Sequence, residues 1–373
     1  MIKRFVVVAA IAVLLGVLAV SWAWRLWTGP GPAATSDGQA TTLVRITNGM
    51  TLTTAADTLV SHGVLKQAKV LLAGARLTGK GRSLRAGLYK LTYGVSPRDL
   101  LQILTTGSAV QIRVTLPEGL AAEEMAVILA AALGFGSDDF LAAADSVVMA
   151  AAGEGGLLPG DARAVAGHDS LLSAESNRHP RLFRWCEGHL APDTFHFSEG
   201  TSAAVAAGFL VKAQWARLDS VLDASAGTDG PDFSRQELLT LASIVEAEAR
   251  REDERRLIAA VYVNRLRRGR RLEADPTVAY ILRKKGKRLF YRDLEVESPF
   301  NTYRNGGLPP GPIGNPGLAA LEAAARPDPT CSAMYFVSDG EGGHVFSRTA
   351  AEHQAAVREF RRIRAENRNN RNN

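Results

Sequence analysis

The stretch SRQELLTLASIVEAEAR, residues 234–250, decides how the second half of the chain is read. Ser234 followed three residues later by Glu237 is a capping-box pattern, so a helix opens after Ser234 and runs to about Arg250. Leu239, Ala242, Ser243 and Arg250 stand at spacings that share a helix face with Glu246. A carboxylic acid among apolar side chains has its charged form disfavoured, and its pKa rises toward the range of a general acid. Glu246 is therefore the candidate acid; the plainer alternative is an i,i+4 ion pair with Arg250. Glu248 points about 200° away around the helix, so the two carboxyls do not converge on one atom.

Outward from that helix, a second one is expected over about Glu252 to Arg268. Ala274-Asp275-Pro276-Thr277 breaks the chain, with Thr277 placed to cap a short helix from Val278 to Arg283. Residues 298–317 form a long Pro/Gly/Asn loop. Its opening, SPFNTY (298–303), offers the amide of Asn301, the hydroxyl of Thr302 and the phenol of Tyr303 within three residues. Such groups bind polar sugar or peptide atoms, and Tyr stacks on a sugar face; an ordinary structural loop is the alternative. Leu318–Ala325 reads as a short helix and Met334–Val337 as a buried strand. Gly342-Gly343 turns into a second strand through Phe346, and Thr349–Arg364 is a terminal helix followed by a frayed, Asn-rich end.

Toward the amino terminus the pattern strand–turn–helix occurs twice, about 68 residues apart. Leu43–Ile46, Asn48-Gly49 and Thr54–His62 make the first copy; Ile112–Leu116, Pro117–Gly119 and Ala121–Leu133 make the second. Between them Ala86–Leu91 alternates like a strand, and Ser96-Pro97 opens a helix. Residues 134–181, rich in Gly and Ala, read as loops and short helices. At the start, Phe5 to Trp24 is twenty residues without a charge, about 30 Å as a helix and enough to cross a bilayer. Lys3 and Arg4 precede it, and Trp22, Trp24 and Trp27 mark its far end. The stretch reads as an uncleaved anchor with the bulk of the chain outside the cytoplasm.

Composition narrows the function classes. The chain has 373 residues, a net charge of +6 and two cysteines. That charge excess is too small to demand nucleic acid, and two cysteines exclude a disulfide scaffold and a four-cysteine zinc site. The seven histidines show no zinc-hydrolase spacing, and no phosphate loop or Gly-x-Ser-x-Gly elbow is present, so no metal or cofactor is expected. Cys186 and Cys331 are either a bridge or two unrelated thiols. Nine arginines against three acids between Arg250 and Arg271 suit a solvated helix face, or contact with an anionic polymer or phosphates near a membrane.

Taken together, ASIVEAEA, VNRL with RLEADPTVAY, SPFNTYRNGGLPPGPIGNPG and YFVSDGEGGHVFS resemble the endolytic murein transglycosylase (YceG-like) family. EGHLAPDTFHF, VTLPEGL and LRAGLYKL extend the resemblance across nearly the whole chain. It implies an α+β chain: a single transmembrane helix, a LysM-like α+β submodule, and a mixed α/β catalytic domain. The expected boundaries are a cytoplasmic end at 1–4, an anchor at 5–27 and a linker at 28–42. A LysM-like module follows at 43–135, a poorly defined connection at 136–182, the catalytic domain at 183–364 and a disordered tail at 365–373. By the same resemblance Glu246 is the catalytic acid, and Asp275, Thr277, Asn301 and Tyr303 are substrate contacts. The implied substrate is the peptidoglycan glycan strand, with cell-wall synthases (penicillin-binding proteins) as partners and the periplasmic face of the inner membrane as the location. Rival readings are a lysozyme-like hydrolase, with Glu246 as acid and Asp275 or Glu273 activating water, and a non-catalytic wall-binding scaffold.

Overall fold

A computed structural model describes residues 2–33, 40–47, 49–107, 110–153, 184–227 and 230–372; the side chains of 2–10, 12, 82, 152–153 and 367–372 fall outside the description. The chain forms two compact units. One comprises residues 1–113 with 196–201, the other residues 114–195 with 202–373.

In the first unit, α1 (Ile2–Thr28) precedes β1 (Thr41–Ile46), α2 (Leu52–Ser61), α3 (Ala68–Leu77), β2 (Gly87–Thr92) and α4 (Pro97–Thr106). β1 and β2 pair antiparallel, Thr41 opposite Thr92 and Ile46 opposite Gly87. Alternation decides which face is buried: Val44 and Ile46 point into the core, Leu43 and Arg45 out of it. There Leu59, Leu71, Tyr89, Leu91, Leu100 and Leu104 complete an apolar centre. Local chemistry sets the helix starts. Thr51 Oγ1 accepts the Thr54 N–H at 3.2 Å, and Ser96 caps α4 with Pro97 in its first turn. Among the described residues no helix is long and apolar enough to cross a membrane. The side chains over most of the first half of the expected anchor, residues 5–10 and 12, are outside those described.

The second unit begins at Val114, within β3 (Gln111–Thr115), a strand that pairs with β4 (Thr194–Ser198). Its helices are α5 (Ala122–Leu133), α6 (Ser137–Gly153), α7 (Ala203–Ser225), α8 (Arg235–Glu248), α9 (Arg255–Arg267), α10 (Asp275–Ile281), α11 (Leu318–Ala325) and α12 (Ala350–Asn372). The hairpin β5 (Tyr335–Ser338) and β6 (His344–Ser347) lies between the last two. α8 is the centre of this unit. Its capping box is formed, Ser234 accepting from Glu237 N–H at 3.2 Å and Glu237 accepting from Ser234 N–H at 2.9 Å. Every residue from Leu238 to Val245 is buried, so the helix is covered on all sides, with α9 and α11 among its neighbours. Fully burying each of its large aliphatic side chains contributes about 1.5–3 kcal/mol, which makes α8 the frame on which the adjoining loops are hung.

Three local expectations are corrected. Residues 137–153 form one long helix rather than loops and short helices: alanine is the best helix former, and Asp138 and Asp139 suit its first turn. The rest of that stretch, from residue 154 to 181, lies outside the described residues. Asp275-Pro276 does not break the chain but begins α10, because proline is tolerated in the first helical turn. α12 continues helical to Asn372 instead of fraying after Arg364. No Gly or Pro interrupts it, and Arg362 pairs with Glu366 at 2.6 Å and with Glu359. Cys186 and Cys331 are both free thiols, the first buried.

Candidate active site

The loop at 298–317 is fastened to the rest of the second unit by Asn315, which is fully buried. Its Nδ2 donates to Leu120 O at 3.0 Å and to Glu187 Oε1 at 3.1 Å, and its Oδ1 accepts the Leu190 N–H at 2.8 Å. Ser243 of α8 holds the same loop by accepting the Ile313 N–H at 3.0 Å. Gly188 has φ +81°, and a Cβ there would lie 2.4 Å from Pro312 Cγ, so only glycine lets these two segments meet. Glu187 closes the arrangement. Besides Asn315 it accepts the Ala122 N–H at 3.0 Å and the Tyr280 hydroxyl at 3.3 Å. Burial raises its carboxyl to about 8 against these stabilising hydrogen bonds.

This scaffold surrounds two adjoining cavities of about 840 and 580 Å³. Ala247, Glu248, Arg250 and Asp275 line both and so mark their junction. Glu248 is the last residue of α8 and is partly buried. Its Oε1 accepts the Tyr262 hydroxyl at 2.8 Å. Burial pushes its carboxyl up to about 7; the Tyr262 bond and Arg250 oppose the rise, and the Asp275 charge adds to it. Asp275 Oδ1 accepts the Tyr303 hydroxyl at 2.6 Å. Burial first, and Asp275 second, keep the Tyr303 phenol protonated far above neutrality, so it acts as a donor. Tyr303 lines the smaller cavity, along with His344, whose Nδ1 lies 2.7 Å from Glu254 Oε2.

The residues singled out from the sequence therefore take different places. Asp275 and Tyr303 come together in the cleft, bonded to each other. Asn301 and Thr277 are completely buried beneath it. Asn301 Nδ2 donates to Leu294 O and Val296 O at 2.9 and 2.8 Å, while its Oδ1 accepts the Tyr303 N–H at 3.0 Å. Thr277 Oγ1 donates to Ala274 O at 2.7 Å and lies 3.0 Å from Thr302 Oγ1. Both hold the backbone that presents Asp275 and Tyr303. Glu246 lines neither cavity. Its Oε1 lies 3.5 Å from Arg255 Nη2 and its Oε2 accepts the Gly317 N–H at 3.1 Å. The expected pairing with Arg250 is replaced by Arg255. α8 stops at Glu248 and Ala249 is extended, so Arg250 no longer occupies the i+4 position of a helix. Glu118 shares this second acidic locus: burial raises its carboxyl, and the Glu246 charge raises it further.

Sequence reading passed over Glu187, Glu248 and Tyr262 as functional groups. Glu187 did lie in the EGHLAPDTF motif, and the Glu248–Tyr262 contact joins two helices across 14 residues. A partly buried carboxyl near neutrality, opening on a cleft with a phenol and a second acid, has the makings of a general acid.

Comparison with known proteins places the chain. The model of the YceG-like family matches residues 44–359, and the chain belongs to that family. It is 29% identical over 326 residues to the endolytic murein transglycosylase of Bacillus subtilis strain 168, covering 87% of this chain and 86% of that protein. The endolytic murein transglycosylase of Streptococcus pneumoniae strain D39 is also 29% identical, over 83% of this chain, which spans 58% of that longer protein. Among solved structures, a crystal structure of a yceG-like protein from Listeria monocytogenes is similar at 28% identity and a TM-score of 0.51, covering 85% of this chain and 98% of that one.

Proposed function

We propose that the chain is an endolytic lytic transglycosylase that cleaves MurNAc-β-1,4-GlcNAc bonds within peptidoglycan strands and leaves 1,6-anhydro-MurNAc ends. The observation that carries this reading is Glu248, whose carboxyl is held to about 7 at the junction of the two cavities. The curated names of the relatives support the same chemistry. A cleft extending to both sides of the acid suits a strand cut at an internal bond.

In this mechanism the protonated Glu248 donates to the departing GlcNAc O4 as the glycosidic bond breaks. Positive charge grows on C1 of the MurNAc. The Glu248 carboxylate then takes the proton from the C6 hydroxyl of the same sugar, and O6 bonds to C1. No water is consumed, and an intramolecular nucleophile lowers the entropic cost. The Tyr303 hydroxyl and Asp275 contact the distorted sugar, while Asn301 and Thr277 position them. The reading thus moves the acid from Glu246 to Glu248, because Glu246 is engaged by Arg255 and the Gly317 N–H outside the cleft lining.

The anchor at residues 5–27 would tether the enzyme to the inner membrane on its periplasmic side, where cutting nascent strands near cell-wall synthases ends their elongation. The β1-α2-α3-β2 arrangement is our candidate for the LysM-like carbohydrate-binding submodule. One observation favours a second reading, a muramidase: Asp275 lines the same cavities as Glu248 and is placed to activate a water.

The test is mass spectrometry of peptidoglycan digested by the full-length protein, by Glu248→Gln and by Glu246→Gln. We expect products ending in anhydro-MurNAc, one water lighter than reducing ends, lost in Glu248→Gln and retained in Glu246→Gln. Reducing MurNAc ends would replace the transglycosylase with a hydrolase. Loss confined to Glu246→Gln would return the acid to Glu246.

A further inference from the structure

The two limbs of the cleft differ in free charge. In the smaller limb Arg265 is paired with Glu273 at 3.0 Å, and Asp275 and Glu273 supply negative charge. The larger limb is lined by Arg283 and Lys285, which are paired with Glu123 and Glu124, by Arg184, paired with Asp145, by Arg250, which it shares with the smaller limb, and by three more cations, Lys287, Arg288 and Arg364. Those three are exposed, and the described residues offer them no carboxylate partner; Arg288 lies only over the Phe290 ring, 5.3 Å from its centroid. Of the limb's remaining acids, Glu187 and Glu248 are held to about 8 and about 7, and Asp275, which is shared with the smaller limb and bonded to Tyr303, is a single carboxylate against the three. The larger limb therefore presents positive charge beside the acid, where a neutral sugar chain would need none.

A peptidoglycan strand carries negative charge at fixed intervals, because each MurNAc bears a lactyl-linked stem peptide with free carboxylates. We infer that Lys287, Arg288 and Arg364 recognise stem-peptide carboxylates on the part of the strand lying in the larger limb, so that the enzyme selects strands with free-acid stems over strands with amidated stems. This rests on the peptidoglycan reading above and adds a specificity determinant to it. Exposed ion pairs are individually weak, so three acting together give a preference of roughly tenfold at low salt, shrinking as salt rises.

The experiment compares uncrosslinked strands with free stem carboxylates and the same strands with those carboxylates amidated. The full-length protein in detergent and its triple variant Lys287→Ser/Arg288→Ser/Arg364→Ser are assayed for kcat/KM, and binding of both strands to Glu248→Gln is measured in parallel. We expect the wild type to favour free-acid strands roughly tenfold, and the triple variant to lose that preference while its rate on amidated strands stays within roughly twofold. Equal rates of wild type on both strands would overturn the inference. So would an equal loss by the variant on both, which would assign the cations to the glycan or to folding. A loss seen only on strands ending in a lipid pyrophosphate would assign them to phosphate instead. Absent cleavage with the binding preference kept would sink the enzymatic reading and leave this one standing.

Discussion

Replacing Glu187 by Gln tests whether the cleft is built around a neutral acid. Gln keeps the shape: its oxygen accepts from Ala122 N–H and Asn315 Nδ2, and its amide donates to the Tyr280 hydroxyl, which rotates to accept. What disappears is the titration. Glu187 is held at about 8 in the fold against an ordinary 4.5. Between those values the unfolded chain has released its proton and the native one has not, so the wild-type stability falls as pH rises. At about 1.4 kcal/mol for each tenfold difference in proton affinity, the loss reaches about 3 kcal/mol by pH 7 and about 5 kcal/mol above pH 8. Glu187→Gln escapes that loss. Urea unfolding at pH 4.5, 6, 7 and 8 should give matching stabilities at the lowest pH and an advantage for Gln that grows with pH. Parallel curves, or a variant less stable at pH 7, would show that the fold holds an ionised carboxylate there and would refute the reasoning.

Two further outcomes follow from the same geometry. Tyr262→Phe removes a hydrogen bond that favours ionised Glu248, so the alkaline limb of the kcat/KM profile, expected near pH 7, should move up by about one pH unit. A limb that stays in place would mean that another group titrates. Gly188→Ala should cost about 1–3 kcal/mol in thermal denaturation, because its Cβ meets Pro312 on a backbone with positive φ; an unchanged Tm would mean that the two segments separate freely.

How far the sequence could be read depended on how local the cause was. The capping box of α8, the Ser96-Pro97 helix start and the Tyr335–Ser347 hairpin are written within a few residues, and each formed as expected. Asp275 and Tyr303 were legible as candidates, though nothing in a 28-residue separation says that they bond. The choice between Glu246 and Glu248 was not legible from periodicity. It depends on where α8 stops and on Arg255 and Gly317, which lie 9 and 71 residues from Glu246. Glu187 was hidden for the same reason, since its partners Ala122, Tyr280 and Asn315 come from three distant segments.

α8 ends at Glu248, and that ending has an electrostatic consequence. The aligned peptide groups of a helix leave about half a negative charge at its carboxyl end. A carboxylate on the final residue meets that field unscreened by a further turn, whereas a neutral carboxylic acid does not. The 14 residues of α8 thus do more than fill the core. Their summed dipole acts in the same direction as the burial that raises the Glu248 carboxyl to about 7, so the end of the helix and the wall of the cleft both favour the acid form.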